Sequence, residues 1–208
     1  MAVLGARTYD LLYRFRAPWE GGPRSELVEL VESGILSPDS LPPGRAIDLG
    51  CGSGANAVFL AEHGFHVTGV DFSRVALRKA HRLAAKRGVE RRVVLIRGNL
   101  TSASIPGVLG PFDLLVDYGT LDDLKGSARI AMAAAIKQWS HAGSRFLLWC
   151  FYGPRRELPR ISFTGPSRLA PGLEPGEEES LFADAFDIER LPKPPRDSRA
   201  ACFLMTRK

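Results

Sequence analysis

Cysteine is scarce in this 208-residue sequence: Cys51, Cys150 and Cys202 form an odd, widely spaced set. No two of them have the spacing of metal ligands, so neither a zinc site nor a disulfide framework is expected, and we assign no metal. No apolar run approaches the roughly 20 residues that span a bilayer. Residues Met1–Asp10 lack an apolar core of signal-peptide length, since Arg7 and Asp10 interrupt it, so a cytoplasmic protein without a membrane partner is expected. Internal repeats and low-complexity tracts are also missing. Aromatics make up only 9%, and none interleave with the basic clusters at Arg87/Arg91/Arg92 and Arg196–Lys208 in the way that base stacking requires. The net charge of +5 is therefore read as a solvated surface, and nucleic acid is not the expected partner.

What is present suits one globular domain: 45% hydrophobic and 25% charged residues. Between residues 45 and 151, strand-like and helix-like patterns alternate. Arg45–Leu49 is a short apolar run that stops at glycines, and Ala55–His63 reads as a helix. His66–Val70 is a strand ending at Asp71. Ser73 is placed to cap a helix running to about Arg87, with Gly88 as its stop. Arg92–Ile96, Phe112–Val116 and Arg145–Phe151 read as strands, and Ala128–Trp139 as a helix. Ala185–Leu191 and Ala200–Thr206 are joined by a link too short for a helical crossover, so they should pair antiparallel. The expected fold is α/β: a Rossmann-like, doubly wound, seven-stranded sheet, mostly parallel with an antiparallel C-terminal strand. Residues 1–44 form a helical cap, 45–151 the ligand-binding core, and 153–180 a proline-rich insertion after the fifth strand. Ligands in such sheets sit beyond the carboxyl ends of the strands. The four histidines, His63, His66, His81 and His141, lie away from those ends and are read as surface residues.

The chemistry concentrates at Asp48-Leu49-Gly50-Cys51-Gly52-Ser53-Gly54, where the first strand gives way to a helix. Glycines there permit a tight turn and close approach of a ligand, and the helix N-terminus offers free amides. Asp71, at the end of the next strand, is placed to accept ribose hydroxyls. Gly50, Gly52 and Ala55 also satisfy the dinucleotide fingerprint, so spacing leaves NAD open. Two arguments favour S-adenosylmethionine. The charge of Asp48 would repel a pyrophosphate but suits a cationic amino group and sulfonium, and the chain has no second domain to hold a substrate against a nicotinamide.

The stretch Ile47–Ser73, with its D-x-G-x-G-x-G loop and G-V-D-F-S strand end, resembles the motifs of class I S-adenosylmethionine-dependent methyltransferases. The resemblance implies that Gly50–Gly54, including Cys51, carry the methionine portion, Asp71 the ribose and Phe72 the adenine. It further implies cofactor contacts from Asp48, Asn56, Ser73, Gly98, Asn99, Leu100, Asp117, Tyr118 and Gly119. The family usually has an acid where Asn99 stands; the Asn99 carbonyl is expected to accept the adenine amino hydrogen instead. The product would be S-adenosylhomocysteine.

The residues after the fourth strand, Asp117-Tyr118-Gly119-Thr120-Leu121-Asp122-Asp123, lack the two prolines and the aromatic that enzymes methylating exocyclic base amines carry. With Ala17-Pro18-Trp19 and Gly165-Pro166, this D-x-G pattern is similar to thiopurine methyltransferase and related bacterial small-molecule methyltransferases. That implies a small-molecule S, N or O acceptor, with Tyr9, Tyr13 and Trp19 closing over the cofactor. Asp117 and Asp122, with Asp123 beside them, are the candidate acid–base groups. Tyr13, Tyr152, Arg155 and Arg156 are the candidate substrate contacts. An RNA or protein acceptor, or cofactor binding without catalysis, stands as the alternative.

Overall fold

The computed structural model describes residues 6–15, 17–158, 172–192 and 199–208. Among them, seven strands form one sheet: β1 (Arg45–Leu49), β2 (His66–Asp71), β3 (Val93–Arg97), β4 (Phe112–Tyr118), β5 (Ser140–Phe151), β6 (Phe186–Arg190) and β7 (Ala200–Arg207). Their order is β3-β2-β1-β4-β5-β7-β6. All neighbours pair parallel except β7, which is antiparallel to both β5 and β6. The strand order therefore reverses between β1 and β4, and the cleft that such a switch opens lies beyond Leu49 and Tyr118.

Period-two alternation of apolar residues builds a core on each face. Ile47, Leu49, Leu115, Phe146 and Leu148 face one side, where Met132 and Ile136 of α5 (Ser127–Gln138) cover them. Ala46, Leu114, Val116 and Leu147 face the other, beneath α2 (Ser25–Glu32) and α3 (Ala55–Glu62). Helix α4 (Arg74–Arg87) starts and stops where the sequence expects. The Ser73 hydroxyl accepts the Ala76 amide, and Gly88 ends the helix in the left-handed conformation at φ 71°. The short α1 (Ala6–Arg14) packs on α4 through Tyr13, Ala17, Val75 and Ala76.

One strand boundary differs from expectation. Strand β5 begins five residues early, at Ser140, because the Ser144 hydroxyl donates to the Phe112 carbonyl and accepts the His141 amide, holding an apolar-poor stretch to the sheet. His141 is exposed, as expected, and its Nε2 lies 2.9 Å from Asp113 Oδ1. The region expected as an insertion over residues 153–180 runs into α6 (Glu177–Phe182). Arg16, the Gly165-Pro166 pair, Arg168 and Arg196 lie outside the described residues, as does the middle of the expected insertion. Among the described residues, no helix is long and apolar enough to cross a membrane.

Candidate active site

Strands β1 and β4 end side by side, with Leu49 opposite Asp117. From β1 the chain turns sharply: the amides of Gly50 and Cys51 both donate to the Val70 carbonyl, at 2.8 and 3.0 Å. Gly50, Gly52 and Gly54 all have positive φ, which an L side chain adopts only at a cost. A Cβ on Gly52 would come within 2.5 Å of the Tyr13 hydroxyl, and one on Gly54 within 2.7 Å of the Ala80 Cβ. Gly52 is thus kept bare by α1, whereas Gly54 is kept bare by the packing of α3 on α4.

Three carboxylates surround this turn. Asp71 accepts the Gly52 amide on one oxygen at 2.9 Å and the Ser73 amide on the other at 2.7 Å. Each oxygen keeps a second lone pair for a ribose hydroxyl. Burial pushes its carboxyl up to about 6 against the pull of those amides. Asp48 is buried and its Oδ2 has no hydrogen-bond partner. Burial, and then the charge of Asp71, push it up to about 7 while the Ala57 amide pulls it down. Asp117 is fully buried, and its oxygens accept the Thr120 and Leu121 amides at 2.8 and 2.9 Å. Burial raises it to about 7 as well. The geometry makes Asp117 the group that turns the chain after β4. An orphaned buried carboxylate oxygen beside a bare glycine loop fits a cationic group, and it disfavours a diphosphate.

Helix α1 crosses above the turn. The Asp10 carboxylate accepts the Ser73 hydroxyl at 2.6 Å and the Val75 amide at 3.1 Å. The Tyr9 ring stands edge-on to Phe72 at 5.0 Å, and its hydroxyl donates to Asp123 at 2.8 Å. Trp19 donates to the Tyr13 hydroxyl at 2.9 Å and tilts against Tyr9. Sequence reasoning brought Tyr9, Tyr13 and Trp19 here but missed Asp10, whose partners lie more than 60 residues away. It also missed Thr120, whose hydroxyl donates to the Leu49 carbonyl.

Other expected cofactor residues are placed differently. The Asn99 carbonyl oxygen already accepts the amide and the hydroxyl of Thr101, so an adenine amino group would have to displace one of them. Gly98 is bare because a Cβ would meet Ile105 at 2.5 Å, and Leu100 is core. Asn56 accepts the Arg24 amide at 3.0 Å and so anchors α2. The Tyr118 ring stacks on Trp149, away from Asp117 and among the α2 and α3 residues, while Gly119 makes the turn at φ 87°. Tyr152 donates to Glu178 at 2.7 Å beneath the Arg190 guanidinium. Arg155 is exposed, and Arg156 pairs at the surface with Glu157. The candidate substrate contacts are therefore not gathered around the glycine turn, apart from Tyr13.

Residues 46–143 match the family described as a methyltransferase domain. That segment, a little under half of the chain, is what the chain shares with methyltransferases. A 2-heptyl-1-hydroxyquinolin-4(1H)-one methyltransferase of Mycobacteroides abscessus is 27% identical over 137 residues, 65% of this chain and 56% of its own length. The ribosomal protein L11 methyltransferase of Thermus thermophilus is 29% identical over 178 residues, 78% of this chain and 64% of its own. The match thus spans little more than half to two thirds of these relatives. A protein solved in work on the conversion of a disulfide bond into a thioacetal group during echinomycin biosynthesis superposes with a TM-score of 0.74. It is 24% identical, with 98% of this chain and 93% of that one covered, and it supports the fold. These similarities do not single out the thiopurine methyltransferase group.

Proposed function

We propose that this protein transfers a methyl group from S-adenosylmethionine to a small organic molecule bearing a sulfur, nitrogen or oxygen nucleophile. The observation that carries the cofactor half is the unpartnered, buried Asp48 oxygen at the glycine turn. When bound, S-adenosylmethionine supplies an electrophilic methyl on a sulfonium. Asp48 would meet the cationic amino end, Asp71 the ribose hydroxyls, and Phe72 with Tyr9 the adenine. The roof of Tyr9, Tyr13 and Trp19 excludes water from a reaction in which positive charge leaves sulfur. Holding donor and acceptor in line is worth about 7–11 kcal/mol in favourable cases.

A small-molecule acceptor is supported by the hydroxyquinolone relative and by the roofed notch. The L11 relative acts on a protein, and acceptor class is decided by assay. Of the three carboxylates considered for proton transfer, Asp117 is spent on two backbone amides, and Asp122 gives one oxygen to the Phe151 amide while its other oxygen is buried without a hydrogen-bond partner. Asp123 is only half-buried and holds the Tyr9 phenol, so we assign it the acceptor side. Its carboxyl is raised, chiefly by burial, which strengthens the ionised form as a base.

Calorimetry with S-adenosylmethionine, S-adenosylhomocysteine and NAD tests the cofactor, followed by a screen of thiols, phenols and N-heterocycles with labelled methyl donor. Both sulfur nucleosides should bind and NAD should not. Asp71→Ala should weaken binding by about 1.5–3 kcal/mol, the worth of hydrogen bonds to a charged group. Binding of NAD in preference to either sulfur nucleoside overturns the reading.

A further inference from the structure

The turn after β4 is held from below by a buried arginine. Arg129, in the first turn of α5, is 8% exposed. Its Nε donates to the Leu124 carbonyl at 2.9 Å, and its Nη2 to the carbonyls of Asp122 and Gly172 at 3.0 and 2.8 Å. Its Nη1 meets Glu177 of α6 at 2.7 Å. Asp122 converges on the same junction from the other side. Its Oδ2 accepts the Phe151 amide at the end of β5 at 2.8 Å, and its carbonyl also accepts the Gly172 amide at 3.1 Å. Two side chains therefore lash together the turn after β4, the end of β5, Gly172 and α6.

Burying a guanidinium carries a large desolvation cost, and a well-packed apolar side chain of similar volume is often as stabilising or more so. What an apolar residue does not supply is four directed bonds. Those bonds fix Asp122 and Leu124, the two neighbours of Asp123, and Asp123 is the residue that reaches up to Tyr9 over the cofactor notch.

We propose that Arg129 and Asp122 are positioning residues: together they clamp the acceptor turn in register with the α1 roof, and neither exchanges a proton with the acceptor. This rests on the methyl-transfer reading above. Asp122 suits the role as a neutral acid. Burial and then Asp123 raise its carboxyl well above the ordinary range, so an amide of the same shape should replace it.

The test uses Asp122→Asn, Asp122→Leu, Arg129→Lys, Arg129→Met and Glu177→Ala in the full chain. Each is assayed with the acceptor that the wild type turns over fastest, and by hydrogen exchange at residues 119–125 with S-adenosylhomocysteine bound. Asp122→Asn should stay within about threefold of wild type with an unshifted pH profile. Asp122→Leu and Arg129→Met should lose about tenfold or more in kcat, in the range that misplacement of reacting groups produces, with KM for S-adenosylmethionine within about twofold. Both should exchange faster at residues 119–125. Arg129→Lys should recover Tm but little of kcat, because an ammonium does not span four acceptors. Glu177→Ala, which removes only the outer, part-exposed anchor, should show the same changes in smaller measure, and it keeps the test alive if Arg129→Met does not fold. Loss of turnover and a shifted pH profile in Asp122→Asn would identify Asp122 as the proton-transfer group and overturn the proposal. So would wild-type exchange and kcat in Arg129→Met or Glu177→Ala. Should wild type methylate nothing, the methyl-transfer reading fails, and exchange still decides the clamp.

Discussion

Single residues at this site are defined by what they leave room for. Gly52 has φ 52°, and its missing Cβ makes way for the Tyr13 hydroxyl. Gly52→Ala should therefore cost about 1–2 kcal/mol of backbone strain, plus whatever Tyr13 loses in moving. Tyr13→Phe removes the clashing hydroxyl but also the acceptor for the Trp19 indole. The two changes should be non-additive in urea melts, the double variant being less destabilised than the sum, by about 0.5 kcal/mol or more, as expected of touching residues. Strict additivity would show that α1 does not rest on the glycine turn. Gly52 and Asp71 are legible in the sequence because their neighbours in space, the adjoining strand ends, follow from the strand–turn–helix order. Asp10 and Arg129 are not, because a charged residue on a helix reads as solvated until the fold supplies a partner far along the chain.

At the scale of elements, Ser73 joins two helices. Its hydroxyl oxygen accepts the Ala76 amide at the start of α4, while its proton goes to Asp10 of α1. Ser73→Ala should cost about 0.5–2 kcal/mol of global stability as a lost N-cap. It should also loosen α1, seen as faster hydrogen exchange in residues 6–14. Tyr9→Phe, which cuts the other fastening at Asp123, should speed the same exchange without the loss of global stability. If Ser73→Ala lowers stability and leaves α1 exchange unchanged, α1 is held by apolar packing alone. The boundaries of α4 were readable because capping serine and terminating glycine are local signals. The early start of β5 was not, since Ser140–Ser144 joins the sheet through hydroxyl bonds to β4 instead of through an apolar alternation.

The whole molecule responds to pH through its buried carboxyls: Asp48 at about 7, Asp71 at about 6 and Asp117 at about 7 at the strand switch, with Asp122 and Asp123 in the turn after β4 raised as well, all chiefly by burial. Where the folded-state value is raised, the folded chain keeps a proton that the unfolded chain releases. That contribution is complete below the ordinary carboxylate value near 4 and is lost as pH climbs through about 6–7. The Tm of the ligand-free protein should accordingly fall between pH 5 and pH 8. Asp10, whose carboxyl lies below its ordinary value, acts only at more acid pH and leaves this window untouched. A cationic ligand beside Asp48 favours the ionised carboxylates, so it should bind more tightly at pH 8 than at pH 5 and release protons as it binds. Ligand at 100 times Kd adds about 2.7 kcal/mol, and a domain of this size shifts by about 2–4 °C per kcal/mol. Saturation with S-adenosylmethionine should thus raise Tm by about 5–11 °C at pH 8 and by less at pH 5. Asp48→Asn should flatten both the fall of Tm with pH and the pH dependence of binding. A ligand-free Tm that rises from pH 5 to pH 8 would mean that the switch carboxyls are ionised at pH 5, and the charge argument for the cofactor would lose its footing.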